Sequence, residues 1–333
     1  MKKTIFQKTN LFLHNLGYGK IKLFKEIKQG KNSEVYQLKV DKSFLILKVF
    51  KDKNRNRVKR EKLFYNYLNG IGVESVIKPI GFDINYNFAI YPYIHGKKIK
   101  KIKNRYIKEI ILFLKKINQK NSEGFPLAID GIKEQLDHIK LCETKINNLK
   151  KIKIDNLIKK KFTTFLNKQI IPKFKQIKKN FYKNEILRLK KFKLLKKDMI
   201  ISPSDLGFHN IIQSKNKFFF FDFEYAGLDD PIKLICDFYC QPDQNLTSRQ
   251  KKLFINNTFF RKYSLYKLEK KLNIFLPFHQ LKWCCIILNE FKNKSKSSNE
   301  KILNKNYQIF NSRLNKAKIY FNNSFNNNGN RFY

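Results

Sequence analysis

Over residues 21–50, apolar positions recur at strand spacing in three short runs, IKLFKEI, EVYQLKV and SFLILKVF. The turn formers Gln29-Gly30-Lys31-Asn32 and Asp41-Lys42-Ser43 separate them. The period then changes, and Val58, Leu63, Phe64, Tyr67 and Leu68 fall at helical spacing within 55–68. Two more strand runs, VIKPIGF and NFAIYPYI, carry the chain to Gly96. This order predicts an α+β protein with a compact antiparallel β lobe over residues 1–95. From 96 to 333 a larger, mainly helical lobe is expected. Its apolar stripes cover 106–117, 132–149, 157–195 and the stretches after Pro231 and Thr247, with Pro172 breaking or kinking the third. The helical pattern is interrupted at 200–222, and the Asn-rich residues 321–333 read as a frayed tail.

The chain has 333 residues, enough for one large or two modest domains. Hydrophobic residues make up 42%, which allows a sizeable core and excludes global disorder. No apolar run approaches the roughly 18–20 residues of a membrane span. The basic start MKKTIFQKTN is interrupted by Gln7, Lys8, Thr9 and Asn10 before a signal-peptide core can form. A soluble, cytoplasmic protein is expected. The net charge of +45, from 71 Lys+Arg against 26 Asp+Glu, raises a basic nucleic-acid-binding or anionic-surface-binding protein as an alternative. That alternative is not favoured, because lysines spread from Lys2 to Lys318 alongside abundant Asn, Ile and Phe, a chain-wide compositional bias. Even the Lys-dense interval 150–197 reads mainly as a solvated face. Cys142, Cys236, Cys240, Cys284 and Cys285 are odd in number and have no paired spacing, so reduced, buried thiols are expected rather than disulfides or a zinc site.

Two segments place acids among apolar strands: IISPSDLGFHNII at 200–212 and FFFFDFE at 218–224. Asp205 and Asn210 supply a carboxylate and an amide oxygen from one loop, and Asp222 arrives from the neighbouring strand of a hairpin. Hard oxygen donors from two strands suit Mg²⁺, which takes its remaining ligands from water and phosphate. Lys48, centred in ILKVF, is a charge inside a buried-strand pattern, and Glu61 on the following helix is its natural ion-pair partner. Left unpaired in such a strand, the lysine would be costly.

The spacing D-L-G-F-H-N resembles the catalytic loop of eukaryotic-type kinases, where Asp is followed five positions later by Asn, and Asp222-Phe223-Glu224 falls where those enzymes keep a metal-binding Asp. The continuation Glu224-Tyr225-Ala226-Gly227-Leu228-Asp229-Asp230-Pro231 is not protein-kinase-like. It resembles the aminoglycoside phosphotransferase and choline kinase superfamily, and the S-P-S-D loop looks like a subgroup of bacterial small-molecule phosphotransferases. The resemblance covers about 21–238. It implies a two-lobed, protein-kinase-like fold and Mg²⁺-dependent transfer of phosphate from ATP to a hydroxyl of a small molecule, such as a sugar or glycan precursor. Under it Asp205 is the base, Asn210, Asp222 and Glu224 are metal ligands, and Lys48, paired with Glu61, grips the nucleotide phosphates. Gly30, Asn32 and Ser33 form the phosphate-covering turn, and the linker backbone at Tyr91 and Tyr93 holds adenine, with Gly96 letting the chain turn. His209 is expected to pack or to make a loop hydrogen bond, Asp230 to cap a helix, Asp237 to support the catalytic loop and Trp283 to lie in the core. Few acids follow Asp237, which favours a neutral or anionic acceptor. A pseudokinase that binds without turnover is the other alternative.

Overall fold

The computed structural model describes residues 2–29, 32–51, 56–119, 124–152, 156–184, 194, 198–257, 265–289 and 300–326. The chain divides into two units, Met1–Ile129 with Ile201–Leu228, and Asp130–Ile200 with Asp229–Tyr333.

The first unit opens with helix α1 (Lys2–Asn15). Strands β1 (Ile21–Gln29), β2 (Ser33–Val40) and β3 (Ser43–Phe50), helix α2 (Arg57–Gly70), and strands β4 (Gly81–Asp83) and β5 (Phe88–Pro92) follow. The strands form one antiparallel sheet in the order β1-β2-β3-β5-β4. Alternation in β2 buries Tyr36, Leu38 and Val40 against Leu45 and Leu47 of β3 and Phe88 and Ile90 of β5. Leu13, with Phe12 and Ile5, packs α1 on that face. The sequence reading assigned no helix to residues 2–15. Lys48 takes the opposite pleat from Leu47. The expected strand at 76–82 shrinks to Gly81–Asp83, since Pro79 lacks the amide a ladder needs.

After β6 (Lys97–Lys98) and α3 (Asn104–Ile117) the chain leaves this unit, and it returns along β7 (Ile200–Ser202). A hairpin of β8 (Ile211–Ser214) and β9 (Lys217–Phe220) precedes β10 (Gly227–Asp229), which pairs with β7. Residues 96–129 and 201–228 fall in the same unit as the sheet. β6 pairs with β8, the Ser75 carbonyl accepts from Phe220 N, and Phe113 of α3 stacks on Phe220 at 4.2 Å, so residues 201–228 belong with the sheet. The Asn118 amide that follows α3 bonds both backbone groups of Ile201, at 2.9 and 3.0 Å, fixing the entry to the 203–210 loop. Gly96 has no left-handed backbone. A Cβ there would lie 2.3 Å from Ile212, so close approach, not a turn, demands the glycine.

The second unit is helical: α4 (Asp137–Lys150), α5 (Asn156–Phe165), α6 (Ile171–Asn184), α7 (Pro231–Cys240), α8 (Ser248–Asn257), α9 (Leu265–Ile287) and α10 (Glu300–Phe325). Pro172 causes no break. A π turn, Leu166–Ile170, joins α5 to α6 immediately before it and absorbs the missing amide. Residues 321–325, expected to fray, continue α10, and 327–333 lie outside the described residues. Asp230 caps α7 as expected, its carboxylate accepting from Ile232 N at 2.7 Å with Pro231 in the first turn. All five cysteines are buried and none forms a disulfide. Among the described residues, no helix is long and apolar enough to cross a membrane.

A buried polar chain ties α4, α7 and α9 together. His138 Nε2 lies 3.3 Å from Asp230, His138 Nδ1 lies 2.9 Å from His279 Nε2, and His279 Nδ1 lies 3.1 Å from Asp237. Asp237 also accepts from Lys282 and from Trp283 Nε1. These partners correct the expectation that Asp237 supports the catalytic loop: it binds α9. Trp283 is partly exposed, its indole N–H engaged rather than simply packed. Burial and the nearby Lys282 charge lower the His279 imidazole to about 3. Unfolding between pH 6.5 and 3 must then take up a proton at this site, so stability falls as the pH drops through that window. His279→Gln, which keeps a donor toward Asp237, is expected to lessen the fall in urea midpoint between pH 6.5 and 4; an unchanged slope would contradict it.

Candidate active site

The site residues lie within the first unit. Lys48 Nζ sits among three carboxylates: Glu61 at 2.7 Å, Asp222 at 2.6 Å and Glu224 at 3.1 Å. Lys48, Glu61 and Glu224 are buried, and Asp222 is partly open to solvent. Burial alone would pull the lysine down, but the charges of Asp222, Glu61 and Glu224 hold it well above its ordinary range. Glu61 is pushed up to about 7, by burial first and by Asp222 and Glu224 next, against the pull of Lys48. Both its oxygens are committed, Oε2 to Lys48 and Oε1 to the Tyr91 hydroxyl at 2.7 Å.

Helix geometry explains how this forms. Residues 57, 60, 61 and 64 share one face of α2, and that face meets residues 222–226. Arg57 Nε lies 3.7 Å from Glu224, and its Nη2 donates to the Tyr225 hydroxyl at 3.2 Å. Arg60 donates to the carbonyls of Ala226, at 2.9 Å, and Leu127, at 2.6 Å. Phe64 packs on Phe223 with ring centroids 4.8 Å apart. Sequence reasoning selected Glu61 from this stripe and missed Arg57, Arg60 and Tyr225. The i, i+3 spacing of the two arginines beside Glu61 was the signal available. Gly227 completes the fit, since a Cβ there would lie 2.4 Å from Ala128 N.

The β8–β9 hairpin brings the two acidic segments together. Ile211 pairs with Phe220, and Phe221 N donates to the Asn210 carbonyl, so Asn210 stands at the hairpin end from which Asp222 departs. Asp222 adopts a left-handed backbone with φ of 69°, as does Ser204 with 63° just before Asp205. Such strain in residues that carry a β-carbon is held by its surroundings and clusters at functional sites. Asn210 Nδ2 donates to the Asp205 carbonyl at 3.0 Å, closing the loop and fixing the amide. His209 Nε2 is 3.4 Å from the Asp205 carboxylate, the expected loop contact.

Of the other expected residues, Gly30 lies outside the described residues. Asn32 donates from its amide to the Tyr225 hydroxyl at 2.7 Å, and Ser33 pairs with Phe50 at the start of β2. Tyr91 stands behind Glu61, and Tyr93 N already donates to the Phe44 carbonyl at 3.1 Å. The Tyr91 side chain is thus a support for Glu61, and the Tyr93 amide is not free for a base.

No protein-family model and no curated protein sequence matches the chain. Solved structures do. A spectinomycin phosphotransferase in complex with ADP and spectinomycin aligns with a TM-score of 0.63 and 12% identity, covering 94% of this chain and 98% of its own. The choline kinase LicA from Streptococcus pneumoniae aligns with a TM-score of 0.56 and 16% identity, over 96% and 99%. An ADP-bound aminoglycoside phosphotransferase gives 0.57 and 16%, also over 96% and 99%. This is the aminoglycoside phosphotransferase and choline kinase fold. The fold supplies the frame, and the charges around Lys48 come from this chain's own residues.

Lys48 faces all three acids, and removing it takes away the cation that offsets the buried Glu61. Lys48→Met is expected to cost about 3–5 kcal/mol in chemical unfolding. Adding Glu61→Gln should recover part of that loss, and a strictly additive double variant would show that the two charges are not coupled.

Proposed function

We propose that the protein is an ATP- and Mg²⁺-dependent phosphotransferase acting on a hydroxyl of a small molecule. The observation that carries this reading is the convergence of Lys48, Asp222 and Glu224 beside a loop bearing Asp205 and Asn210. Three acids lie with ligand oxygens within 4.8 Å of one another, and Lys48 and Arg57 bring two positive charges against their three negative ones. The surplus negative charge suits a divalent cation. Glu224 Oε2 supports the fit, being buried with no hydrogen bond despite the nearby ammonium. Asp222, Glu224 and Asn210 would hold the ion, since both oxygens of Glu61 are engaged. Mg²⁺ supplies charge neutralisation to the phosphates when bound.

Asp205 accepts or orients the acceptor's proton while the hydroxyl oxygen bonds to the γ-phosphorus and the bond to the departing ADP oxygen breaks. Asn210 fixes the loop that carries Asp205. Lys48 neutralises the phosphates that are not transferred, and Glu61, braced by Tyr91, holds Lys48 in place. A neutral or anionic acceptor, a sugar or glycan precursor among them, is the finer part of the proposal and rests on the scarcity of acids after Asp237.

Thermal unfolding with and without Mg·ATP tests the nucleotide site. Ligand at 100 times its Kd stabilises the folded state by about 2.7 kcal/mol, so the wild-type midpoint should rise in a magnesium-dependent way. Asp222→Ala should lose that rise. Asp205→Asn should keep it and lower turnover by orders of magnitude once an acceptor is found. No shift in the wild type at millimolar nucleotide would reject the reading, and full activity in Asp205→Asn would reject the base assignment.

A further inference from the structure

Ser204 stands directly before Asp205 and carries two unfavourable features at once. Its backbone is left-handed, with φ of 63°, where a residue with a β-carbon is strained and glycine is not. Its hydroxyl is buried, the residue being 9% exposed, and has no hydrogen-bond partner among the described residues. A buried hydroxyl left unpaired forfeits the bonds it would make in water. The groups beside it are engaged. Ser204 N donates to the Ser202 hydroxyl at 3.0 Å, and Asp205 N to the Pro203 carbonyl at 2.8 Å. The Asp205 carbonyl accepts from Asn210 Nδ2 at 3.0 Å, and the Asp205 carboxylate lies 3.4 Å from His209 Nε2. The loop thus satisfies polar groups on both sides of the Ser204 hydroxyl and leaves that hydroxyl over.

Folding alone favours a different residue here. Glycine would remove the strain and the unpaired hydroxyl together, and the hydrogen bonds on either side do not use the Ser204 side chain. Strain and an orphaned donor in one residue beside the candidate base point to a partner that the folded chain does not supply. Resting on the phosphotransferase reading above, we infer that the Ser204 hydroxyl donates to an oxygen of the phosphoryl group being transferred. Those oxygens carry the charge during transfer. Asp205 brings its own negative charge toward them, and a neutral donor on the preceding residue lessens the repulsion. With the neighbouring backbone pinned, a change of χ1 well re-aims the hydroxyl without moving the loop.

Ser204→Ala removes the hydroxyl and keeps the β-carbon, whereas Ser204→Gly removes both. Two nucleotides read the contact: Mg·ADP, and Mg·AMP-PNP, in which an imido bridge keeps the γ-phosphoryl in place. Urea unfolding of the free proteins reads the strain. A hydrogen bond to a charged oxygen corresponds to about a tenfold or larger change in Kd. Both variants should weaken Mg·AMP-PNP by about that factor and leave Mg·ADP unchanged, because ADP lacks the group that Ser204 meets. Ser204→Ala should unfold at no lower urea concentration than the wild type, since the hydroxyl it loses has no partner to give up. Ser204→Gly should unfold at a higher concentration than Ser204→Ala. Unchanged affinity for Mg·AMP-PNP, or equal weakening toward both nucleotides, would overturn the inference. So would a lower urea midpoint in Ser204→Ala, which would make the hydroxyl structural, or a Ser204→Gly midpoint at or below that of Ser204→Ala, which would remove the strain. Wild-type protein that binds neither nucleotide would instead remove the phosphotransferase reading on which the inference rests.

Discussion

An ammonium buried in a β-strand has to be answered by negative charge, and in this chain three carboxylates answer one lysine. Lys48 cannot be solvated on β3, so the structure around it is organised by what must face it: Glu61 from α2, and Asp222 and Glu224 from the segment after the β8–β9 hairpin. The arrangement overshoots neutrality. Glu61 carries the consequence, its carboxyl raised by burial and by the other two acids. The surplus negative charge of this cluster is what the proposed divalent cation would balance.

The second organising constraint is the face of α2. Arg57, Arg60, Glu61 and Phe64 meet Glu224, Tyr225, Ala226, Asp222 and Phe223 by ion pair, backbone hydrogen bond, bridging lysine and ring contact. One helix therefore sets the position of the whole 222–226 segment. Asn118 and the β8–β9 pairing do the same for the 203–210 loop. Neither group relies on the polar chain of His138, His279 and Asp237, which consolidates the second unit alone.

Much of the first unit was legible in the sequence because its elements are short, strongly periodic and bounded by turn residues. The three strands of 21–50 and the Lys48–Glu61 pair follow from pattern and from the cost of a lone buried charge. What escaped had local signals that pointed elsewhere. Residues 2–15 are broken by polar side chains, and only packing of Leu13, Phe12 and Ile5 on the sheet makes them an amphipathic helix worth keeping. Arg57 and Arg60 are lost in a chain where basic residues are everywhere, so their charge carries no information until their partners are known. Asp237 sits near the acidic motif in sequence but answers Lys282 and His279, and no local pattern foretells that. Gly96 looked like a turn and proved to be a packing contact with Ile212.

The separation of these residues along the chain has a consequence for how the protein is made. Lys48 and Glu61 are 13 positions apart, whereas Lys48 and Asp222 are 174 apart, with the excursion through 130–200 between them. Pairings that close long loops form last. A growing chain can therefore build the sheet, α1 and the Lys48–Glu61 pair from its first 95 residues, while the carboxylates of 222 and 224 do not yet exist. During that interval the face of α2 that will hold Glu224 and Tyr225 is exposed, and the half-built unit presents Arg57, Arg60 and Phe64 to whatever attends the ribosome exit. The acidic cluster around Lys48 is complete only when the returning hairpin docks.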